Sequence, residues 1–155
     1  MKNKDLKRRI IEISYKHKLS HLGSCLTAVD IIDDIYEQIY PAASTDDRAE
    51  SKFILSSGHA GLALYVVLEK YYELDAEEIF NHHGVHPDRC KDCHIDCSSG
   101  SLGQGLPIAL GMALADRTKD VYCLISDGEC AEGSVHEALR IKGEYQVDNL
   151  KVYIN

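Results

Sequence analysis

The chain has 155 residues, 45% of them hydrophobic and 27% charged, a balance typical of one globular domain with a single core. Its formal net charge of −8 argues against a nucleic-acid-binding surface, and no apolar run approaches the roughly 18 residues of a membrane span. Because the N-terminus lacks the apolar core of a signal peptide, we expect a cytoplasmic protein whose six cysteines are reduced thiols.

The first half of the chain predicts helices around one short strand. Leu6, Ile10 and Ile13 recur at helical spacing. A second amphipathic helix is predicted to begin after Thr27 as its N-cap, with apolar positions at Ala28, Ile31, Ile35 and Ile39. The stretch "KFILSSGHAG" predicts a strand ending in Ser, Gly and His, and "LALYVVLEKYYEL" a largely buried helix. Residues 81–100, rich in His, Cys, Asp and Gly, are expected to be irregular.

The second half predicts a βαβ unit. The small residues of "GQGLPIALGMALADR" indicate a helix packed closely on a sheet, and the apolar stretch "VYCLIS" is typical of a buried parallel strand. Ala138, Ile141 and Tyr145 mark one face of the next helix, and "LKVYIN" predicts another strand. The pattern predicts an α/β fold with a parallel sheet flanked by helices, in a single domain over residues 1–155 that ends early, on a strand.

A polar turn, Asp127-Gly128-Glu129, follows the predicted strand "VYCLIS". Ligands bind at the carboxyl ends of strands in open parallel sheets, where this turn is expected to lie beside the end of the last strand and its Asn155. A carboxylate, an amide and backbone carbonyls form a hard oxygen site suited to Mg²⁺ or Ca²⁺, which could bridge to a phosphate. The alternative is that Asp127 caps the helix that follows.

Four further motifs follow one another along the chain: "SHLGSCLTAVDII", "FILSSGHAGLALY", "DCSSGSLGQGLPIALGMALA" and "SDGECAEGSVHEAL". In this order they resemble the N-terminal half of the transketolase family, as found in transketolases split into two chains. The resemblance runs from about Leu6 to Asn155. It implies a thiamine diphosphate-binding fold, with the whole chain forming the diphosphate-binding domain.

The resemblance also implies a set of cofactor-binding residues. Asp127 matches the metal-binding acid of the family's "GDG" motif, although Ser126 replaces the first glycine. Gly128 and Glu129 complete this cofactor-contacting turn. The loop that runs along the cofactor, with backbone N–H groups close to phosphate, corresponds to Gly100, Ser101, Leu102 and Gly103.

Three histidines match catalytic positions of the family. His59 and His86 correspond to histidines near the diphosphate and the reacting centre. His21 corresponds to a substrate-facing histidine, although Leu22 stands where the family has Pro. Glu132 matches an acid near the subunit interface. Without the resemblance, each histidine would be interpreted as an ordinary hydrogen-bonding residue.

The second metal ligand of the family is an Asn after the next strand, and here two interpretations stay open. Asn155 could be this ligand together with Asp127. Aligning "DNLKVYIN" by its strand instead places the ligand two positions later, beyond the last residue. We prefer the second interpretation, because a domain that ends on a buried strand looks truncated.

The implied activity is transfer of a two-carbon ketol unit between sugar phosphates, with thiamine diphosphate and Mg²⁺ or Ca²⁺ as cofactors. In the family another domain supplies the Glu that activates the cofactor's pyrimidine, and nothing in this sequence matches it. We therefore expect a C-terminal transketolase-like partner subunit, a dimer or heterotetramer, and no activity of the chain alone. The alternative is a catalytically inactive interaction or regulatory module of the same fold.

The segment "HHGVHPDRCKDCHIDC" concentrates cysteines and histidines. Cys90, Cys93 and His94 could bind structural zinc, since Cys-x-x-Cys with a nearby His can supply tetrahedral ligands. The preferred interpretation is that these cysteines are reduced thiols, because the second, distant pair of the common zinc folds is missing. The segment is then predicted to be an ordered lid over the diphosphate.

Overall fold

A parallel three-stranded sheet forms the centre of the protein, in a computed structural model that describes residues 3–40 and 51–155. The strands are β1 (Lys52–Leu55), β2 (Val121–Ile125) and β3 (Leu150–Ile154), in the order β1-β2-β3. In these described ranges, six α-helices surround the strands: α1 (Asn3–His17), α2 (Leu22–Ile39), α3 (Gly61–Tyr72), α4 (Ala76–His83), α5 (Gly105–Ala115) and α6 (Gly133–Glu144). The predicted α/β class and the βαβ unit from β2 through α6 to β3 are confirmed.

Helices cover both faces of the sheet because strand side chains alternate between the faces. One face packs with α1 to α4 and contributes Phe53, Leu55, Tyr122 and Leu124. The other packs with α5 and α6 and contributes Ile54, Val121, Cys123 and Ile125. All five residues of β2 are buried, as expected for the central strand. Within the described ranges, no helix is long and apolar enough to cross a membrane.

The predicted N-cap at Thr27 is wrong, because α2 begins at Leu22 and Thr27 lies inside it. The Thr27 hydroxyl donates to the carbonyls of Gly23 and Ser24, at 3.3 and 3.1 Å. Threonine can bond back to the preceding turn in this way, so a residue type that favours N-caps is accommodated within a helix.

Helix α4 was not predicted, and it occupies the start of the segment 81–100 that was expected to be irregular. Its N-cap is Asp75, whose carboxylate accepts the N–H groups of Glu77 and Glu78 at 2.8 and 2.9 Å. An acid followed three residues later by Glu is a helix-start pattern that could have revealed it.

The predicted apolar face of α6 is wrong at Tyr145. Ala138 is buried, but Tyr145 is 59% exposed. The helix ends at Glu144, and Tyr145 has left the helical conformation, with φ −93° and ψ 4°. Helical spacing therefore no longer decides which way its side chain points.

A buried ion pair joins α2 to α3 within the helical layer. Asp33 is 1% exposed and its carboxylate lies 2.6 Å from the Lys70 ammonium. The Tyr71 hydroxyl donates to the Asp33 carbonyl nearby, at 3.4 Å. Burial of this carboxylate is tolerated because a cation neutralises it.

Candidate functional site

The carboxyl ends of the three strands lie side by side and carry polar residues. Backbone pairing continues past the strands, where the Ser56 N–H donates to the Leu124 carbonyl at 2.9 Å and the Asp127 N–H to the Asn155 carbonyl at 3.0 Å. Ser56, Asp127 and Asn155 therefore share the edge at which parallel sheets bind ligands. The predicted position of the Asp127 turn beside the end of the last strand is confirmed.

The three predicted histidines approach this edge from different elements. The ring centroid of His21, before α2, lies 5.2 Å from that of His59, in the turn after β1. His86 packs against Gly100, where an added Cβ would lie 3.0 Å from the His86 Cδ2. Burial lowers the pKa of His59, and the charges of His21 and His86 lower it further, against the opposing Glu129 carboxylate. A neutral His59 can both donate and accept a hydrogen bond.

Glu129 is fully buried and links the predicted cofactor loop to two strand ends. One carboxylate oxygen accepts the Ser56 hydroxyl and, at 2.9 Å, the Gly103 N–H. The other accepts the Ser126 N–H at 2.8 Å and the Ser126 hydroxyl at 3.3 Å. A buried anion requires such partners.

The predicted cofactor contact of Glu129 is therefore not what the structure shows. Its exposure is 0%, so the carboxylate organises the surrounding backbone rather than facing a ligand. No local sequence pattern could have revealed this role of Glu129, because Ser56 lies 73 residues away along the chain. Ser126, the departure from the family's "GDG" motif, takes part in this network through its hydroxyl.

The glycine loop, defined here as residues 99–103, packs too tightly for side chains at two contact points. An added Cβ on Gly58 would lie 2.6 Å from the Ser99 carbonyl carbon. Gly103 has a φ of +79°, and an added Cβ there would lie 2.7 Å from the Glu132 Cβ. Both positions need glycine because other residues would collide or adopt a strained left-handed backbone.

The loop divides into an exposed and an anchored part. Ser101 and Leu102 are exposed, as a ligand-contacting segment requires. The Gly103 N–H, predicted to approach phosphate, instead donates to Glu129, and the Gly103 carbonyl accepts the Ser134 hydroxyl at 2.7 Å. Gly103 therefore fixes the loop rather than offering a free donor.

Asp127 caps a turn that precedes α6, rather than α6 itself as the capping alternative predicted. Its carboxylate is exposed and accepts the Gly128 N–H at 2.7 Å. It thereby caps the short 3₁₀ turn Gly128–Ala131, whereas α6 begins without a side-chain cap. The remaining oxygen and the exposure leave Asp127 able to ligate a cation. Its role in metal binding stays a prediction.

Asn155 lies next to Asp127 through the backbone, but its side chain points to α2. The amide nitrogen donates to the Thr27 hydroxyl at 2.9 Å, across 128 residues of sequence. The amide oxygen is the atom that could bind a metal. Whether Asn155 or a later residue is the second ligand stays a prediction.

Glu132 is exposed beside the glycine loop, where an added Cβ on Gly103 would meet its side chain. Its exposure is compatible with the predicted place near a subunit interface, which stays a prediction.

His94 is not placed to share a metal ion with Cys90 and Cys93, as the zinc alternative required. Its ring stacks on Tyr72, with centroids 3.8 Å apart and planes at 10°. Its backbone has a φ of +55°, at the end of the cysteine-containing turn. The ring therefore packs on α3, and His94 is not in the group of described side chains whose ligand atoms lie close together.

Comparison with known proteins agrees with the fold and the motifs. Residues 7–155 match the family described as transketolase, thiamine diphosphate binding domain. The chain is 30% identical, over 96% of its length, to one of the subunits of the apulose-4-phosphate transketolase of Phocaeicola vulgatus, and it covers 57% of that relative. It is 37% identical, over 84% of its length, to the transketolase of Homo sapiens, of which it covers 23%.

Solved structures show the same fold. Transketolase from Leishmania mexicana superposes with a TM-score of 0.74 over 99% of this chain and 27% of that one, at 21% identity. The chain thus spans 57% of the length of the Phocaeicola vulgatus relative and about a quarter of the transketolases it matches. Matched over nearly all of its length, the chain belongs to the transketolase family and carries its thiamine diphosphate-binding domain.

Proposed function

We propose that this chain is the diphosphate-binding subunit or fragment of an enzyme that transfers a two-carbon ketol unit between sugar phosphates. The observation that carries this proposal is the approach of His21, His59 and His86 to one sheet edge beside the Asp127 turn. These residues are far apart in sequence but meet at this edge. Together they offer imidazole groups and a carboxylate, which can bind the hydroxyls and the metal-bound phosphates of a sugar phosphate or cofactor.

The residues present fit thiamine diphosphate and a divalent cation. Asp127 supplies an exposed carboxylate oxygen, the ligand type that Mg²⁺ and Ca²⁺ prefer. Among the described residues, the buried hydroxyls of Ser57 and Ser99 have no hydrogen-bond partner. Both lie where the turn after β1 meets the glycine loop. Buried polar atoms left unpaired are costly, and ligand oxygens could satisfy these two.

Each group of residues has a distinct task in this proposal. Thiamine diphosphate, when bound, supplies the electron sink that allows a carbon–carbon bond of a ketose to break. Asp127 would hold Mg²⁺, and the charge of this cation would allow a chain with a net charge of −8 to accommodate a polyanion. His21, His59 and His86 hydrogen-bond the sugar hydroxyls or the diphosphate. Glu129 keeps the glycine loop in place.

Activity requires a second chain in this proposal. The Phocaeicola vulgatus relative is itself named as one subunit of its transketolase, which supports a partner. The partner would supply the Glu that activates the pyrimidine and would complete a dimer or heterotetramer. The six free cysteines support a reducing compartment such as the cytoplasm.

Calorimetry tests cofactor binding. We expect thiamine diphosphate to bind in the presence of Mg²⁺ when the chain is mixed with a partner identified by co-purification. Asp127→Asn should weaken this binding by at least the roughly tenfold to hundredfold that loss of an outer-shell metal partner costs. Asp148→Asn, an exposed acid before β3, is the matched control. No binding, with or without the partner, would favour the inactive regulatory module.

Turnover tests the need for a partner. A ketose phosphate and an acceptor aldose are incubated with the chain, the partner, and both together, with Mg²⁺ and thiamine diphosphate. We expect products only from the mixture. Turnover by the chain alone would contradict the proposed division of the active site.

A further inference from the structure

Three side chains of types that can bind metal ions lie close together at the end of α4 and in the segment that follows it. The ligand atoms of His83, Cys90 and Cys93 all lie within 4.8 Å of one another. They come from two separate pieces of chain, the last residue of α4 and the cysteine turn, defined here as residues 90–95. Neither the proposed catalysis nor the glycine loop uses these side chains.

The cysteine turn has the geometry of a closed hairpin that presents both thiols together. The Cys90 N–H donates to the Ile95 carbonyl at 2.9 Å, and the Ile95 N–H donates back at 2.8 Å. Between them, His94 takes a φ of +55°, which reverses the chain after the second cysteine. The Cys93 N–H donates to the Cys90 sulfur at 3.2 Å. This contact fixes the Cys90 sulfur relative to the backbone of Cys93, so the two thiols are held in one turn.

His83 adds a separate observation that points to a ligand. Its Nε2 atom is buried and has no hydrogen-bond partner among the described residues. The helix stops there because Gly84 has a φ of +74°, and the Gly84 carbonyl accepts the Tyr65 hydroxyl at 3.2 Å. The imidazole lies beside the two thiols, and its buried Nε2 has no hydrogen-bond partner in the part of the chain that the structure describes. Such a nitrogen costs free energy unless something binds it.

We propose that His83, Cys90 and Cys93 bind a Zn²⁺ ion, with water in the fourth position. Two thiolates and one imidazole are ligands that zinc prefers, and the group has three members among the described residues. On binding, the two thiols release their protons to solvent, and their sulfurs and the histidine nitrogen each donate an electron pair. The proposal departs from the preferred interpretation of the sequence, in which these cysteines are reduced thiols without a metal. It also differs from the zinc alternative, because His83 takes the place of His94.

The ion would fasten the irregular segment to α4. Between His83 and Cys90 lies His86, which packs against Gly100 of the glycine loop. After the turn, the Ser99 N–H donates to the Pro87 carbonyl at 3.0 Å, which closes the segment on itself. Zinc would thus fix the stretch from His83 to Cys93, and His86 within that stretch contributes to the proposed cofactor site. This function is structural and needs neither thiamine diphosphate nor a partner.

Metal analysis of the unaltered chain, purified without a His-tag, tests the proposal directly. After equilibration with excess Zn²⁺ and removal of free metal, we expect about one equivalent per chain. Replacement by Co²⁺ should produce thiolate-to-metal charge-transfer absorption and the d–d bands of tetrahedral cobalt. Less than about a tenth of an equivalent of zinc, or a cobalt spectrum without thiolate bands, would overturn the proposal. A Cys90–Cys93 disulfide in the freshly purified protein would overturn it as well.

Substitutions then identify the ligands. Cys90→Ser, Cys93→Ser and His83→Gln should each weaken zinc binding by more than the roughly tenfold to hundredfold that an outer-shell change costs. Cys97→Ser and His94→Gln are matched controls from the same segment, and both should keep the metal. An equal loss of zinc affinity in the controls and in the ligand variants would contradict the assignment of His83, Cys90 and Cys93 as ligands. The cobalt spectrum of the unaltered chain decides even if a ligand variant fails to fold.

Discussion

The glycine loop and the cysteine turn are both short polar segments at the edge of the core, yet they are stabilised differently. The glycine loop is anchored by Glu129, whose two buried oxygens accept four hydrogen bonds from the protein itself. Beside the cysteine turn, the buried Nε2 of His83 has no partner among the described residues. The anchored end of the loop at Gly103 is therefore fixed by the protein itself, whereas the order of the cysteine turn is expected to depend on a bound ion.

Glu129→Ala should have the largest effect, because it removes the anchor of the glycine loop. The N–H groups of Gly103 and Ser126 would be left without an acceptor, and the free energy of unfolding should fall by about 3 to 5 kcal/mol. Urea denaturation measures this loss. Glu137→Ala, at an exposed position of α6, is the control and should change stability by less than about 0.5 kcal/mol. A loss below about 1 kcal/mol for Glu129→Ala would show that the anchor is dispensable.

Chelation of zinc should loosen the cysteine turn and leave the glycine loop intact. The amides of Cys93 and Ile95, which donate within the turn, are expected to exchange with deuterium about tenfold faster or more after metal removal. The amides of Gly103 and Ser126 should keep their exchange rates. Hydrogen exchange with mass spectrometry measures both regions in one experiment. Equal acceleration in the two regions would contradict the contrast between them.

Gly103→Ala should destabilise the protein by about 1 to 2 kcal/mol, because alanine is strained at a φ of +79° and its Cβ would meet Glu132. Gly111→Ala provides the matched control, since an added Cβ on that glycine of α5 meets nothing within 4 Å. Removing a helical glycine should stabilise the control by up to about 1 kcal/mol. Thermal denaturation distinguishes the expected loss of stability in Gly103→Ala from the expected gain in Gly111→Ala. An unchanged stability of Gly103→Ala would mean that the loop adapts to the added methyl group.

Acidification should have the smallest effect, through His59. Burial, with neighbouring His21 and His86, lowers the pKa of His59 from 6.5, so the unfolded chain takes up the proton first as pH falls. Its contribution to stability is therefore present above about pH 6.5 and is lost as pH falls through the lower pKa of the folded state. Denaturation of the wild type and of His59→Gln between pH 7 and pH 5, as a rough window, measures the difference. A steeper acid loss in His59→Gln than in the wild type would contradict this sign.

Most of the architecture and of the site could be predicted from local patterns. Helical spacing in α1, the apolar run of β2 and the four ordered motifs led to the fold and the family, because periodicity and motif order are properties of adjacent residues. The same motifs predicted that the three histidines and Asp127 belong to one site. The boundaries were less predictable, as Thr27 shows, because a Thr hydroxyl can bond inside a helix as well as at its cap.

The sequence by itself thus determined the class of fold, the family and the edge of the sheet at which cofactor binding is proposed. Tertiary structure decided which polar atoms meet: Glu129 with Ser56 across 73 residues, and Asn155 with Thr27 across 128. It also selected His83 rather than His94 as the neighbour of the two thiols. Burial and hydrogen-bond partners of a charged or imidazole side chain depend on atoms brought together by the whole fold, and residue spacing along the chain does not contain that information.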